Sequence, residues 1–109
     1  MNTATNTVKN SRGVEFTRPE VGMGATLCWW SDRDPYTIIK VSASGKTFWM
    51  QEDNYKRTDN NYMSEIQDYE YTPNPNGVVR CVRLTVRGWE SEGQYVAVGH
   101  RRRYYDYSF

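Results

Sequence analysis

Short runs of β-branched and aromatic residues alternate with polar residues along this chain, and clusters of Gly, Pro, Asn and Asp separate the runs. A period of two residues is typical of strands with one buried face, and the 3.6-residue period of an amphipathic helix is nearly absent. The alternation predicts six short strands, at residues 24–30, 36–41, 46–51, 66–72, 78–86 and 95–98. The predicted fold class is all-β.

The turn-forming residues predict how these strands are connected. Residues 31–35 end in a proline, which cannot donate a hydrogen bond to a ladder, and are predicted to form a loop. Residues 42–45 are predicted to close a tight hairpin, and the Asn-Gly pair at 76–77 to supply the positive φ of a second one. Residues 52–65 are polar and are predicted to form a long loop. A further loop is predicted through Gly88 and Gly93, before the last strand.

Val78, Val82, Leu84 and Val86 are predicted to form the inward apolar face of the 78–86 strand, and Arg80 interrupts it. A charged side chain at such a position indicates the start of the strand, a bulge or a polar site. The sequence leaves these three interpretations open.

Six short strands joined by tight turns fit a meander that closes into a small SH3-like barrel, which leaves no exposed sheet edge. A sandwich of two small sheets is the alternative, because the pattern does not fix which strands pair. Residues 1–20 carry almost no periodic apolar pattern and are predicted to be a flexible N-terminal arm. A single barrel domain is predicted at residues 21–109.

Composition narrows the classes of function. The 109 residues carry 14 basic and 13 acidic side chains, which gives a formal net charge of +1. This balance argues against a protein that coats nucleic acid by bulk charge. No stretch approaches the roughly 18 apolar residues of a membrane span, so the chain is predicted to be soluble, with no membrane partner.

Catalytic and metal-binding residues are poorly represented. His100 is the only histidine that could serve as a base for a nucleophile such as Cys28 or Cys81. The two cysteines lie far apart and lack the paired short spacings of a zinc site. The sequence predicts a protein that is not an enzyme and that binds no metal and no cofactor.

Charge is unevenly distributed along the chain. Residues 52–70 are mainly acidic, whereas residues 78–103 contain six arginines and two glutamates. One interpretation is that the two segments are adjacent strands whose charges pair across the surface. The other is an anion-binding face, because arginine forks hold phosphate and tyrosines stack on bases. The candidate ligand-binding residues of that face are Arg80, Arg83, Tyr95, His100, Arg101, Arg102, Arg103, Tyr104 and Tyr105.

The tryptophans supply the candidate interface residues. Trp29 and Trp30 are adjacent, so in a strand they face opposite ways and at most one enters the core. Trp, Tyr and Arg dominate the binding energy of many interfaces. The predicted interface residues are Trp29, Trp30, Trp49 and Trp89. The alternative is that the long loop or the N-terminal arm covers the outer tryptophan.

Several segments give the chain a resemblance to a known group of proteins. They are VGMGAT at 21–26, DPYTII at 34–39, SGKT at 44–47, QEDNYKR at 51–57, YTPNPNG at 71–77, GHR at 99–101 and YDYSF at 105–109. In these segments the chain resembles a family of small uncharacterised proteins encoded by tailed bacteriophages. The resemblance implies a phage origin, with the host bacterial cytoplasm as the place of action, and it assigns no catalytic residue.

These observations predict a non-enzymatic, phage-encoded binding protein. By analogy with other small phage proteins, the leading hypothesis is an inhibitor of bacterial antiviral defence, which sequesters a nucleotide signal or occupies a host protein. The alternatives are a KOW- or SH3-like nucleic-acid-binding module and a minor virion or assembly component. A homo-oligomer follows if an exposed tryptophan and free strand edges pair between copies.

Overall fold

The computed structural model describes residues 7–29, 32–58 and 69–99, which form ten strands and no helix. The strands are β1 (Thr7–Lys9), β2 (Glu15–Thr17), β3 (Gly24–Cys28), β4 (Arg33–Val41), β5 (Thr47–Glu52), β6 (Asn54–Arg57), β7 (Tyr69–Thr72), β8 (Val79–Thr85), β9 (Gly88–Ser91) and β10 (Gln94–Val98). β3, β4, β5, β8, β9 and β10 pair in that order into an antiparallel barrel, which β10 closes by pairing with β3. The prediction of an all-β chain with a small SH3-like barrel is confirmed.

Alternation along the strands fills the barrel with apolar side chains. In β5, for example, Phe48 and Met50 are fully buried, whereas Thr47 and Trp49, which alternate with them, face outward. Phe48 meets Trp89 of β9 edge to face, with the ring centroids 5.0 Å apart. The buried core consists of Val8, Ala25, Leu27, Tyr36, Ile38, Phe48, Met50, Val82, Trp89 and Val96.

The number of barrel strands agrees with the prediction, but one member differs. The sixth strand is β9, which lies in the segment predicted to be a loop. Gly88 at φ 115°, Glu92 at φ 50° and Gly93 at φ 83° allow the chain to reverse tightly at both ends of this four-residue strand. Of the strand predicted at 66–72, Tyr69–Thr72 forms β7, which lies outside the barrel.

A two-stranded ribbon, β6 paired with β7, is inserted between β5 and β8. It replaces the first part of the long loop predicted at 52–65, because Asn54–Arg57 pairs in register with Tyr69–Thr72. Tyr69 and Tyr71 lie on one face and are half-buried, as their alternation predicted. Residues 59–68 lie outside the described residues.

β4 begins earlier than predicted. Its first residues, from Arg33, pair with β3 and include Pro35, so the prediction of a loop at 31–35 is wrong for this part. The pairing of β4 with β5 ends at Tyr36, and Pro35 precedes Tyr36 in the chain. The Pro35 carbonyl accepts a hydrogen bond from the Asp53 amide. At this place the missing N–H of proline removes no bond from the ladder.

Gly77 is required for a different reason from the predicted one. Its φ is not positive, so the prediction that it supplies a left-handed turn residue is wrong. A Cβ atom at this position would overlap the backbone oxygen of Glu52, which lies directly beneath the turn. Glycine is needed here because two backbone segments approach closely.

The N-terminal segment is ordered from residue 7 onward, so the prediction of a flexible arm over residues 1–20 is wrong there. β1 and β2 form a hairpin that sits on the turns at one end of the barrel. Val8 is buried and touches the β4–β5 turn at Gly45, and Phe16 lies over Gly88. We call this end of the barrel, covered by the hairpin, the plugged end.

Asn10 joins the hairpin to the barrel. Its side-chain amide donates to the carbonyls of Thr85 and Val86, both at 3.2 Å. Its side-chain oxygen accepts bonds from the amides of Arg12 and Val14. One buried side chain therefore closes the β1–β2 turn and binds the β8–β9 turn.

We expect Asn10→Asp to lower the free energy of unfolding by about 3 kcal/mol, because a carboxylate would replace two donors and face two carbonyl oxygens. Urea denaturation measures this change. Asn76→Asp, at an exposed asparagine, is the matched control, and we expect it to stay within about 0.5 kcal/mol of the parent. Equal stability of the two variants would contradict the role given to Asn10.

Candidate functional site

The end of the barrel opposite the plugged end is polar. Strand register continues the inward-facing rows past the core, so that Met50 is followed by Glu52 and Val82 is preceded by Arg80. The inward-facing residues of this layer are Asp34, Tyr36, Glu52, Arg80, Ser91 and Gln94. We call this layer, with Trp29 and Glu92 at its rim, the polar mouth.

Arg80 is the central cation of the polar mouth. Its Nε donates to the Tyr36 hydroxyl at 2.9 Å, and one terminal nitrogen lies 3.3 Å from a carboxylate oxygen of Glu92. The guanidinium also lies over the ring of Trp29, 5.7 Å from its centroid. Arg80 therefore stands at the start of its strand and at a polar site, two of the three interpretations that the sequence left open.

The ring of Tyr36 lies in the core, and its hydroxyl group reaches the polar mouth. Burial raises the pKa of Tyr36 above its ordinary value near 10, and the hydrogen bond and charge of Arg80 partly oppose that rise. The same hydrogen bond raises the pKa of Arg80. The phenol is accordingly neutral and Arg80 charged over the physiological range.

Trp29 is held at the rim of the mouth by the loop between β3 and β4. Its indole N–H donates to an Asp34 carboxylate oxygen at 2.7 Å, and its backbone amide donates to the carbonyl of Asp32. The guanidinium of Arg33 donates to the Trp29 and Asp32 carbonyls. The indole ring is thus positioned beside Arg80, and Trp29 as a residue is 37% exposed.

The described part of the mouth is acidic on balance. Asp34, Glu52 and Glu92 contribute three carboxylates, against the single guanidinium of Arg80. The Arg80 guanidinium already donates hydrogen bonds to Tyr36 and Glu92, and it lies over the ring of Trp29. This arrangement orders the mouth and favours cations over phosphate groups.

The predicted anion-binding face is not assembled from the residues that the structure describes. Arg80 faces into the barrel, whereas Arg83, three positions later on the same strand, faces outward, so the two do not share a ligand. Arg83 and Tyr95 do belong to one outward row, but Glu90 lies between them. His100, Arg101, Arg102, Arg103, Tyr104 and Tyr105 lie outside the described residues.

The predicted interface tryptophans have three different environments. Trp89 is only 3% exposed and packs in the core, so it has no surface to offer a partner and its assignment to an interface is wrong. Trp29 stands at the rim of the mouth, and Trp49 faces outward from β5. Trp30 lies outside the described residues.

Trp49 is the centre of a sheet wall formed by β4, β5 and β8. Lys40 and Cys81 flank it on the neighbouring strands, and the Lys40 ammonium lies 5.0 Å from the centre of its ring. Ile39 and Val79 on the same strands are 40% and 48% exposed. We call these five residues the Trp49 wall; sequence reasoning identified Trp49 but not its neighbours, because the pairing was unknown.

The β6–β7 ribbon carries an aromatic cluster that sequence reasoning missed. Tyr55 meets Tyr69 edge to face at 5.7 Å, and Tyr69 stacks on Tyr71 at 6.3 Å. The alternation of Tyr69 and Tyr71 was visible in the sequence, but their partner lies in a segment predicted to be a loop. The cluster stabilises one face of the ribbon.

No protein-family model matches the chain, and neither a curated protein nor a solved structure matches it. Among residues 7–29, 32–58 and 69–99, no helix is long and apolar enough to cross a membrane. In the same residues, no group of three or more His, Cys, Asp or Glu side chains is placed to hold a metal ion.

We expect Arg80→Met to raise the pKa of Tyr36 further, because the variant removes a donor and a positive charge that favour the phenolate. A tyrosine pKa that is higher in the folded than in the unfolded chain stabilises the fold below pH 10, and this stabilisation is lost as pH rises through the folded pKa. The loss above pH 10 should therefore be larger in the variant. NMR of ¹³Cζ-labelled tyrosine and urea denaturation between pH 8 and 12 measure the two effects.

Arg83→Met is the matched control for this experiment, because Arg83 is exposed on the same strand and faces outward. It should leave the pKa of Tyr36 unchanged. The account of the mouth is contradicted if both variants titrate like the parent.

Proposed function

We propose that this chain is a non-enzymatic, phage-encoded binding protein that antagonises bacterial antiviral defence in the host cytoplasm by occupying a host protein. The observation that carries the proposal is the Trp49 wall, an outward sheet face with a tryptophan at its centre and exposed aliphatic residues beside it. The phage context is taken from the resemblance in sequence.

The shape of the barrel limits how such a protein recognises a partner. Its six strands form a closed ring, so none of them offers a free edge to a partner's strand. Its interior is filled by core side chains, including Phe48, Met50 and Trp89. Recognition by the barrel is therefore left to the side chains on its outer wall and at its two ends.

The Trp49 wall has the composition of a protein interface. Tryptophan is enriched at protein interfaces and among the residues that carry most of their binding energy. Trp49 has that place here, with the Lys40 ammonium against its ring and with Ile39 and Val79 extending the apolar surface beside it. The outer wall of a closed barrel is not concave, so it fits the surface of another protein better than a small molecule, which needs a concave site.

The described arginines support a protein partner over a nucleotide. Arg80 is engaged by Tyr36 and Glu92, and Arg83 lies opposite Glu90, so no two of these side chains converge on one phosphate. The nucleotide alternative depends on Arg101, Arg102 and Arg103, which lie outside the described residues.

We expect the parent chain, expressed in bacteria that carry an active defence system, to restore plating of a phage that the system blocks. Trp49→Ser should abolish this rescue, because loss of a central tryptophan weakens binding by about 30-fold or more. Val79→Lys, which places a charge on the wall without removing a core residue, should do the same. Efficiency of plating is the measurement.

Tyr95→Ser is the control, because Tyr95 is an exposed aromatic residue outside the Trp49 wall. Rescue lost in Tyr95→Ser but kept in both wall variants would contradict the proposal. Native mass spectrometry of protein purified from the same cells is a second test. A nucleotide-sized adduct on the parent chain would show that it sequesters a nucleotide and does not act by occupying a host protein.

A further inference from the structure

Basic side chains gather at the plugged end of the barrel. They come from four places in the sequence: the β1–β2 hairpin, the segment after β2, the β4–β5 turn and the β8–β9 hairpin. The members are Lys9, Arg12, Arg18, Lys46, Arg83 and Arg87. Three carboxylates, those of Glu15, Glu20 and Glu90, belong to the same segments. We call the six cations the basic end.

Backbone contacts show that these segments are neighbours. The guanidinium of Arg18 lies against the β4–β5 turn, where it reaches the Ala43 carbonyl at 3.5 Å. The carbonyl of Lys46 accepts a bond from the Leu84 amide, which places the same turn beside β8 and Arg83. The Asn10 side chain joins the β1–β2 turn, which contains Arg12, to the start of the β8–β9 turn.

Most of this positive charge is not neutralised by an ion pair. Among the described residues, Arg87 forms a bidentate pair with Glu90, and no ion pair engages the exposed side chains of Arg12, Lys46 or Arg83. Glu15 lies across from Lys9 and Glu90 across from Arg83, so two of the cations have a carboxylate in an adjacent strand. Six cations against three carboxylates leave an excess of three positive charges at this end.

We propose that the basic end binds the phosphate backbone of nucleic acid, without reading its sequence. The cations are spread over several turns around the plugged end and do not line a pocket for one anion. Spaced cations of this kind match a polymer with regularly repeated phosphates. None of the six cations belongs to the Trp49 wall, although Arg83 follows Cys81 in the same outward row of β8. The inference stands or falls independently of the proposed function, because its test measures binding to nucleic acid alone.

The test uses fluorescence anisotropy of the full chain with a labelled 20-base-pair duplex and with the matching single strand, from 50 to 200 mM salt. If about four cations contact phosphates, the slope of log K against log salt on the duplex should be about −3.6. The double variant Arg12→Gln/Lys46→Gln should bind roughly 50-fold more weakly near 0.1 M salt and should lower the slope by about 1.8. Comparison of the two probes identifies which form of backbone is preferred.

The matched control is Lys40→Gln/Lys56→Gln, which removes the same net charge from the outer wall and the ribbon. It should leave both affinity and slope close to those of the parent. Circular dichroism checks that both double variants fold.

Four results would overturn the inference. The first is no binding to either probe at 50 mM salt. The second is equal weakening by both double variants, which would indicate bulk charge. The third is loss of binding only in Arg101→Gln/Arg102→Gln/Arg103→Gln. If labelled poly-glutamate binds as tightly as the duplex, the surface recognises acidic protein instead of nucleic acid, and the inference is equally wrong.

Discussion

The closing ladder between β10 and β3 is the constraint on which the rest of the structure depends. Four consecutive residue pairs join these strands, from Tyr95 with Cys28 to Val98 with Ala25. Because side chains alternate along a strand, closure assigns every residue of the six strands either to the interior or to the outer wall. A shift of one residue in this register would exchange the two sets.

Closure also creates two ends, and they have different chemistry. At one end the interior rows finish in apolar residues, which the β1–β2 hairpin covers. At the other end they finish in Arg80, the buried Tyr36 and carboxylates, and the rim residue Glu92 is exposed to solvent. Of the described acidic residues of segment 52–70, Glu52 lies in the polar mouth with Arg80 of β8, whereas Glu70 lies on the ribbon opposite Lys56. The proposed sites follow from this division.

The sequence was sufficient for the features that depend on local pattern. Alternation predicted β5, the β4–β5 hairpin and the inward face of Val82. Val78 and Val86, predicted on the same face, lie beyond the ends of β8 and are exposed. A polar site was one of the three interpretations that the sequence left open for Arg80. The sequence was insufficient where tertiary contacts decide. Arg80 meets Tyr36 across 44 positions because closure aligns their strands. β9 is too short for its alternation to be recognised, and Gly77 is required by a backbone neighbour that no local pattern reveals.

The assignment of Arg80 and Arg83 to one face shows the same limit. Both are arginines on one strand, and residue type alone groups them; the period of two places them on opposite sides of the wall. Trp89 was grouped with the exposed tryptophans for a similar reason. Its position against Phe48 depends on β9 being a barrel strand, which composition does not show.

The central claim is that the barrel is closed, and native-state hydrogen exchange of the β3 and β10 amides tests it most directly. The account predicts that the ladder amides of this seam are protected as strongly as those between β4 and β5, and that all of them exchange only by global unfolding. Seam amides that exchange much faster than the β4–β5 amides would show an open sheet. An open sheet would remove the basis for the two distinct ends.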